Sequence, residues 1–277
     1  MSNLNFFSES SDVKNKTILL RLDLNVPIKG KTIQDDTRIS LCLPFMNKLI
    51  ERKAKIIIVS HLGRPKGKKI PELSLRPIYK YLKKKLNSNV FFYMGNLDSD
   101  VKDKFSYLKE GEVVLLENIR FNKEEGENDE SFAKILSSLC DIYINDAFSC
   151  SHRKQASIHK IVEFARKSYA GPLLKKEINA INLIINSKKK PVTCIIGGAK
   201  ISTKIDVIIS LIKKIDNLII VGAMANNFLS FKGFNIGKSL IEKDSEKIIG
   251  KIYENGKKEN CDILIPEDCK VGTNLEG

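Results

Sequence analysis

Short apolar runs alternate with helix-patterned segments along the whole of this 277-residue chain, and few folds accommodate that order. The runs are Thr17–Leu22, Lys55–Ser60, Val90–Tyr93, Val113–Glu117, Ile142–Asp146, Val192–Ile196, Asn217–Val221 and Asp262–Pro266. Between them, Leu41–Arg52 carries apolar residues at helical spacing, with Pro44 tolerable only in its first turn. Ser74 is placed to cap a helix running to Leu86, and Asp129 one running to Ser138. Strand, helix and strand in repetition predict an α/β fold of parallel sheets covered by helices.

A long amphipathic helix over roughly Leu173–Asn186 puts Leu174, Ile178, Ile181 and Ile185 on one face, and Ser187–Lys190 with Pro191 ends it. It divides the chain into residues 1–170, a connecting helix over 171–187 and a second domain over 188–277. No internal repeat or low-complexity tract interrupts this plan. The longest apolar runs are too short to span a bilayer. The polar stretch from Met1 to Lys16 has no signal-peptide core, so a cytoplasmic protein with no membrane partner is expected. The cysteines, Cys42, Cys140, Cys150, Cys194, Cys261 and Cys269, form no C-x-x-C pair, which predicts reduced thiols and no metal site. The net charge of +14 raises a nucleic-acid reading. However, clusters such as Lys83-Lys84-Lys85, Lys188-Lys189-Lys190 and Lys257-Lys258 have no interleaved aromatic residues to stack bases, and Trp is absent. Solvated lysines are the better reading, with no nucleic-acid partner.

The arginines are another matter. The first strand runs into Arg21-Leu22-Asp23-Leu24-Asn25-Val26-Pro27, and the fifth into Asn145-Asp146-Ala147-Phe148 followed by His152-Arg153. Two more strand ends read Ser60-His61-Leu62-Gly63-Arg64-Pro65 and Glu117-Asn118-Ile119-Arg120-Phe121. Open α/β sheets build ligand crevices where strands end. The guanidinium fork of Arg21, Arg64, Arg120 and Arg153 suits a phosphate or carboxylate. Taken singly, each feature has a plainer account. Asn25 and Pro27 are turn residues, Arg38 is a first-turn helix residue beside Asp35 and Asp36, and His61 is a structural hydrogen bonder.

In the second domain, Gly197-Gly198-Ala199-Lys200 joins a strand to a helix that contains Lys204. Exposed glycine amides, a helix N-terminus and two lysines four residues apart on one helix face would cradle phosphates. The spacing is not that of a Walker loop. The neighbouring strand ends in Val221-Gly222-Ala223-Met224-Ala225, small residues that would admit a flat base.

Taken together, these segments resemble phosphoglycerate kinase. The family's R-x-D-x-N-x-P, S-H-L-G-R-P, E-N-x-R-F, N-D-A-F…H-R and G-G-A-K-x-S-x-K stand here in order, over Lys16 to Val271. The resemblance implies two Rossmann-like parallel-sheet domains facing a hinge cleft that closes to exclude water. The first would bind 3-phosphoglycerate or 1,3-bisphosphoglycerate, and the second Mg-ADP or Mg-ATP, for reversible phosphoryl transfer in glycolysis and gluconeogenesis. Asp23, Asn25, His61, Arg64, Arg120 and Arg153 match positions that hold the phosphoglycerate, in a set that also takes in Arg21, Leu62 and Gly63. Arg38 matches the arginine that stabilises the transferring group, and Lys200 and Lys204 the lysines that neutralise it and the nucleotide phosphates. Gly198, Ala199, Gly222, Ala223 and Leu240 match the nucleotide pocket. Positioning and cationic stabilisation suffice for such chemistry, and no general base is needed. A monomer is expected.

Some positions depart from the family pattern. Ser149-Cys150-Ser151 stands where the family usually has Gly-Thr-Ala, Val221 where a glycine is common, and Pro172 where a bulkier apolar residue is usual. Family members continue for roughly another hundred residues, most of a typical domain. That part carries the magnesium carboxylate and a further glycine-rich loop. The second domain is therefore expected to be incomplete over these residues, and residues 1–277 by themselves to show no turnover. The alternative readings are a truncated, non-catalytic phosphoglycerate-binding protein and a basic nucleic-acid binder on a borrowed scaffold.

Overall fold

The computed structural model describes residues 4–186, 189–270 and 272. Ser187 and Lys188 of the predicted helix end, and Val271, lie outside them. The chain packs as two compact units, Met1–Asn179 and Ala180–Gly277.

In unit 1 the elements run β1 (Thr17–Arg21), a hairpin of β2 (Ile28–Lys29) and β3 (Thr32–Ile33), α1 (Thr37–Glu51), β4 (Lys55–Val59), α2 (Arg76–Lys85), β5 (Val90–Tyr93) and β6 (Val113–Leu116). They continue with α3 (Lys123–Glu127), α4 (Glu130–Ser138), β7 (Ile142–Asn145), α5 (Ile161–Phe164), β8 (Ser168–Ala170) and α6 (Pro172–Ile185), inside which the two units divide. One sheet in the order β5-β6-β4-β1-β7-β8, parallel throughout, forms the centre. Its central strands are near-continuous apolar runs between their polar ends, because both faces are covered. Ile18, Leu20, Ile56, Ile58, Val113 and Leu115 face one core. Leu19, Ile57, Val59, Val114, Leu116 and Tyr143 face the other. This is why the strands stand out as continuous runs. β8 was not predicted, because Ser168-Tyr169-Ala170 is a short edge strand in which only Ala170 is buried.

Two helix expectations need correction. α1 begins at Thr37, so Pro44 lies well inside it rather than in its first turn. The missing N–H simply leaves the Ser40 carbonyl without that donor. α2 begins at Arg76 with Leu75 at the cap. Ser74 Oγ still accepts from the Arg76 amide at 3.2 Å, but it donates to Glu117 at 2.7 Å. Asp129, by contrast, caps α4 by accepting from the Phe132 amide at 2.7 Å.

Unit 2 holds β9 (Thr193–Gly197), α7 (Ile205–Ile212), β10 (Asn217–Val221), α8 (Ala223–Phe231), α9 (Glu246–Glu259) and β11 (Asp262–Leu264). The sheet is parallel, in the order β11-β10-β9. Leu218 and Ile220 pack in one core with Ile208, Ile212, Met224, Phe228, Ile249 and Ile252 from the helices. On the other face of the sheet Ile195 is 65% exposed and Leu264 46%. No described helix is long and apolar enough to cross a membrane.

Candidate active site

β1 lies between β4 and β7, so the chain leaves it to one side and later returns on the other. That is the switch point where parallel sheets open a crevice at their carboxyl ends. The register pairs Arg21 with Val59 and with Asn145, which brings the loops after all three strands to one edge. A single hydrogen-bonded network joins them. Asp23 Oδ1 accepts from the Asn25 amide at 3.0 Å, Asn25 Oδ1 from the Gly63 amide at 2.9 Å, and the Gly63 carbonyl from Arg120 Nη1 at 2.8 Å. Gly63 has φ of +61°, and an added Cβ would meet Leu73 at 2.7 Å, so the turn calls for glycine. Leu62 is buried behind it. Arg38 reaches from α1 to pair with Asp23 Oδ2 at 2.5 Å, and Ser149 donates to the same oxygen.

His61 is the centre of this arrangement. It is buried beside Arg21 Nη2, 3.3 Å from its Nδ1. Burial, then the charges of Arg21, Arg120, Arg153 and Arg38, push its pKa down to about 2. The imidazole is therefore neutral at physiological pH, and with a guanidinium donor on Nδ1 its proton sits on Nε2. That four guanidiniums act on one ring shows how densely the site concentrates positive charge.

The arginines have different stations. Arg21 has no exposed surface. Its Nε donates to Ser157 at 3.1 Å and its Nη1 to the Leu22 carbonyl, so it stands behind His61 and is not open to a ligand. Arg21, expected among the substrate-binding residues, is thus wholly buried at this edge of the sheet. Arg120 is 9% exposed and keeps its Nε buried without a hydrogen-bond partner. Among the described residues, no side chain or carbonyl hydrogen-bonds or ion-pairs with the guanidinium of Arg64 or of Arg153.

Behind Arg21 lies support that sequence reasoning missed. Ser157 passes Arg21's interaction on to the fully buried Glu125, donating to it from Oγ at 2.7 Å and from its amide at 2.8 Å. Burial pushes the Glu125 pKa up, against the opposing pull of Arg21 and Ser157. Asn118 ties three segments together, giving its Nδ2 protons to the carbonyls of Leu62 and Leu73 and accepting from the Arg120 amide. Glu125 sits in the run Glu124-Glu125-Gly126-Glu127, and nothing in such a run marks one acid as buried.

In unit 2 the ends of β9 and β10 abut. The Met224 amide donates to the Gly198 carbonyl at 2.7 Å, and Gly222, with φ of +65°, lies opposite the Gly198 amide. Gly198 itself has φ of +143°, and Lys204 Nζ lies 2.9 Å from where a Cβ would stand. Gly198, Lys204, Gly222 and Ala223, the first residue of α8, are thus brought together. Ala199 and Lys200 are exposed on the same loop. Leu240 is 62% exposed and is tied to α8 through its carbonyl, which accepts from Asn226.

The predicted helical face of the two lysines is not formed. Ser202–Lys204 is a 3-10 turn and α7 begins only at Ile205. The amides of Ile201 and Ser202 donate to Glu242, as does the Ser202 hydroxyl. The first amides of this turn are therefore already taken by a carboxylate, and a phosphate would meet Lys200, Lys204 and the glycine loop instead.

Residues 8–276 match the phosphoglycerate kinase family. A phosphoglycerate kinase of Wolbachia pipientis wMel is 48% identical over 268 residues, covering 97% of this chain and 67% of the relative. One of Orientia tsutsugamushi is 48% identical over 259 residues, covering 94% and 64%. The solved structure of phosphoglycerate kinase from Coxiella burnetii superposes with a TM-score of 0.81 at 40% identity, over 94% of this chain and 66% of that one. The crystal structure from Pyrococcus horikoshii OT3 gives 0.74 at 29% identity, over 94% and 67%. The chain spans about two thirds of the length of these relatives.

Proposed function

Because the chain belongs to the phosphoglycerate kinase family, whose members are phosphotransferases, we propose that it serves the reversible transfer of a phosphoryl group between 1,3-bisphosphoglycerate and ADP. Unit 1 holds the phosphoglycerate and unit 2 the nucleotide. The observation that carries this reading is the concentration of guanidiniums around neutral His61, together with the unpartnered Nε of Arg120. Cations kept together against their mutual repulsion, at the carboxyl edge of a parallel sheet, await an anion of high charge.

Arg120, Arg64 and Arg153 bind the phosphate and carboxylate of phosphoglycerate. Asn25 and Asp23 set the loop, and His61, steadied by Arg21, donates from Nε2. Arg38 faces the phosphoryl group in transit. A β-phosphate oxygen of ADP attacks the acyl phosphate phosphorus, the bond from phosphorus to the carboxyl oxygen breaks, and the carboxylate leaves. No proton need be moved, so the protein's contribution is orientation and positive charge. The glycine loop around Gly198 and Gly222 fits nucleotide phosphates, because a Cβ at Gly198 would collide with Lys204. Lys200 and Lys204 would hold those phosphates and Ala199, Ala223 and Leu240 the remainder. When bound, the magnesium nucleotide supplies the phosphoryl acceptor or donor and further neutralising charge. We place the reaction in the cytoplasm, carried out by a monomer.

Kinase names among the relatives favour this reading over a phosphoglycerate binder without transfer. Calorimetry with 3-phosphoglycerate tests it. The protein should bind the ligand without nucleotide, and Arg120→Ala or Arg64→Ala should weaken binding by about 1–3 kcal/mol, the worth of a charge-assisted hydrogen bond. No heat of binding to the folded protein would refute the assignment of unit 1.

A further inference from the structure

Further along the carboxyl edge of the unit 1 sheet, beyond β4, a second cleft opens over the ends of β6 and β5. Its cavity of about 650 Å3 is of the size that takes a small organic molecule. Ile70, Pro71, Pro77, Met94 and Phe121 form an apolar wall. They come from the loop that enters α2, the first turn of α2, and the residues that follow β5 and β6. Met94 is 52% exposed, and an exposed apolar patch rimmed by charge marks a ligand groove. None of the residues that build the arginine crevice lines it.

The rim is basic. Lys31 stands on the turn between β2 and β3, Lys69 on the loop before α2, and Lys80 on α2 itself. Among the described residues, no hydrogen bond or ion pair engages any of these three ammonium groups. Arg76 adds a fourth cation, its guanidinium 5.5 Å from the centroid of the Phe92 ring. Two acids oppose them. Glu117 is already held by donors, accepting from the Ser74 hydroxyl at 2.7 Å and from the amides of Leu75 at 2.8 Å and Asn118 at 2.7 Å. Glu72, exposed at the rim, is the remaining opposing charge. Four cations against two acids leave the cleft positive.

The cleft is also polarised along its length. At one end Met94 and Phe121 lead on to Tyr93, Leu97 and Leu116. At the other, Lys31, Pro77 and Lys80 lead on to Lys84. The acids at that end, Asp35 and Asp36, are engaged by Thr37 and Tyr81. An apolar end and a basic end call for a molecule of the same build.

We propose that this cleft binds a small amphipathic anion, its apolar body on Met94, Phe121, Ile70 and Pro71 and its charged head between Lys31 and Lys80. Apolar contact supplies the affinity, and the lysines select the sign of the charge. The site does not depend on the reading of unit 1 as the phosphoglycerate-binding unit.

Titration of the whole chain with 8-anilinonaphthalene-1-sulfonate, an aromatic monoanion that fluoresces on leaving water, tests the site. With methyl-labelled methionine, the Met94 resonance should shift to saturation. Those of Met46, buried in unit 1, and Met224, buried in unit 2, should stay in place. Absence of saturable binding, or binding that leaves Met94 unmoved, overturns the site without any substitution. Lys80→Glu should weaken the probe roughly fivefold or more, the effect of reversing one rim charge. Lys247→Glu, the same change at an exposed lysine of unit 2, and Arg64→Ala, in the crevice, should each alter affinity by less than about twofold. Equal losses across the three variants would mean general attraction of an anion to a basic protein, which overturns the site. A fivefold loss in Arg64→Ala would place the probe in the crevice, and overturns it as well. Octanoate should displace the probe roughly tenfold more effectively than octylammonium, which has the same tail. Equal displacement by the two overturns the choice of an anion.

Discussion

The candidate phosphate sites of the two units are built of opposite materials. In unit 1 the cations are arginines, fixed from behind by buried partners that run from Glu125 through Ser157 to Arg21 and His61. In unit 2 the recognition surface is backbone, shaped by Gly198 and Gly222, with Lys200 and Lys204 on flexible stems above it. Removing a buried part of the first should therefore cost fold and ligand together, because desolvated charges lose compensation when one member goes. Removing a lysine from the second should cost ligand alone. The difference suits the two proposed ligands, since a small, highly charged acid needs fixed donors at every oxygen, and a nucleotide can be held by shape and amides.

The strongest test of this contrast is Glu125→Ala. It leaves the Ser157 amide and hydroxyl without an acceptor and the Arg21 charge without its counterweight, so a loss of about 3–5 kcal/mol is expected in urea denaturation. A loss below about 1 kcal/mol would show that the support behind the arginines is dispensable.

Arg38→Ala comes next. Arg38 is half exposed and pairs with Asp23, so the fold should tolerate its loss. In a version extended to the length of its relatives, kcat in kinase assays should fall by about 100- to 1,000-fold with the affinity for 3-phosphoglycerate little changed, as befits a group acting on charge in transit. Weakened substrate binding with kcat intact would move Arg38 into the ground-state binding set.

Asp146 gives a prediction in pH. Its Oδ1 accepts from the Leu174 amide at 2.9 Å, its Oδ2 is buried without a partner, and burial lifts its pKa from 3.8 to about 6. The folded state thus holds a proton that the unfolded chain gives up. The stability so conferred is complete below pH 3.8 and is lost as pH rises through about 6, and the span corresponds to at most about 3 kcal/mol. The stability of the wild type relative to Asp146→Asn should therefore fall between pH 4 and pH 7. Denaturation curves giving a constant difference across that range would mean the carboxyl is ionised throughout.

The smallest effect belongs to unit 2. Lys204→Ala should weaken ADP binding by about 1 kcal/mol and change stability by less than about 0.5 kcal/mol. A large loss of stability would erase the contrast between the units.

The strands and the kind of ligand followed from the residues alone. A parallel strand covered on both faces is apolar through its buried length, as Ile56-Ile57-Ile58-Val59 is, and polar clusters repeated just after several such strands point to a crevice. Glycine positions were equally open to reading, because a positive φ excludes most other residues. Tertiary structure alone decided which charges are open at the crevice and which are buried behind them. Arg21 and Arg120 occupy alike places at strand ends, yet one is wholly buried on Ser157 and the other keeps a free Nε at the site. Glu125 meets Ser157, and Cys150 meets His61, across more than thirty residues of sequence. Local pattern reports burial and backbone geometry, which act over a few residues. The pairing of charges is settled by which loops the strand order brings to one edge of the sheet.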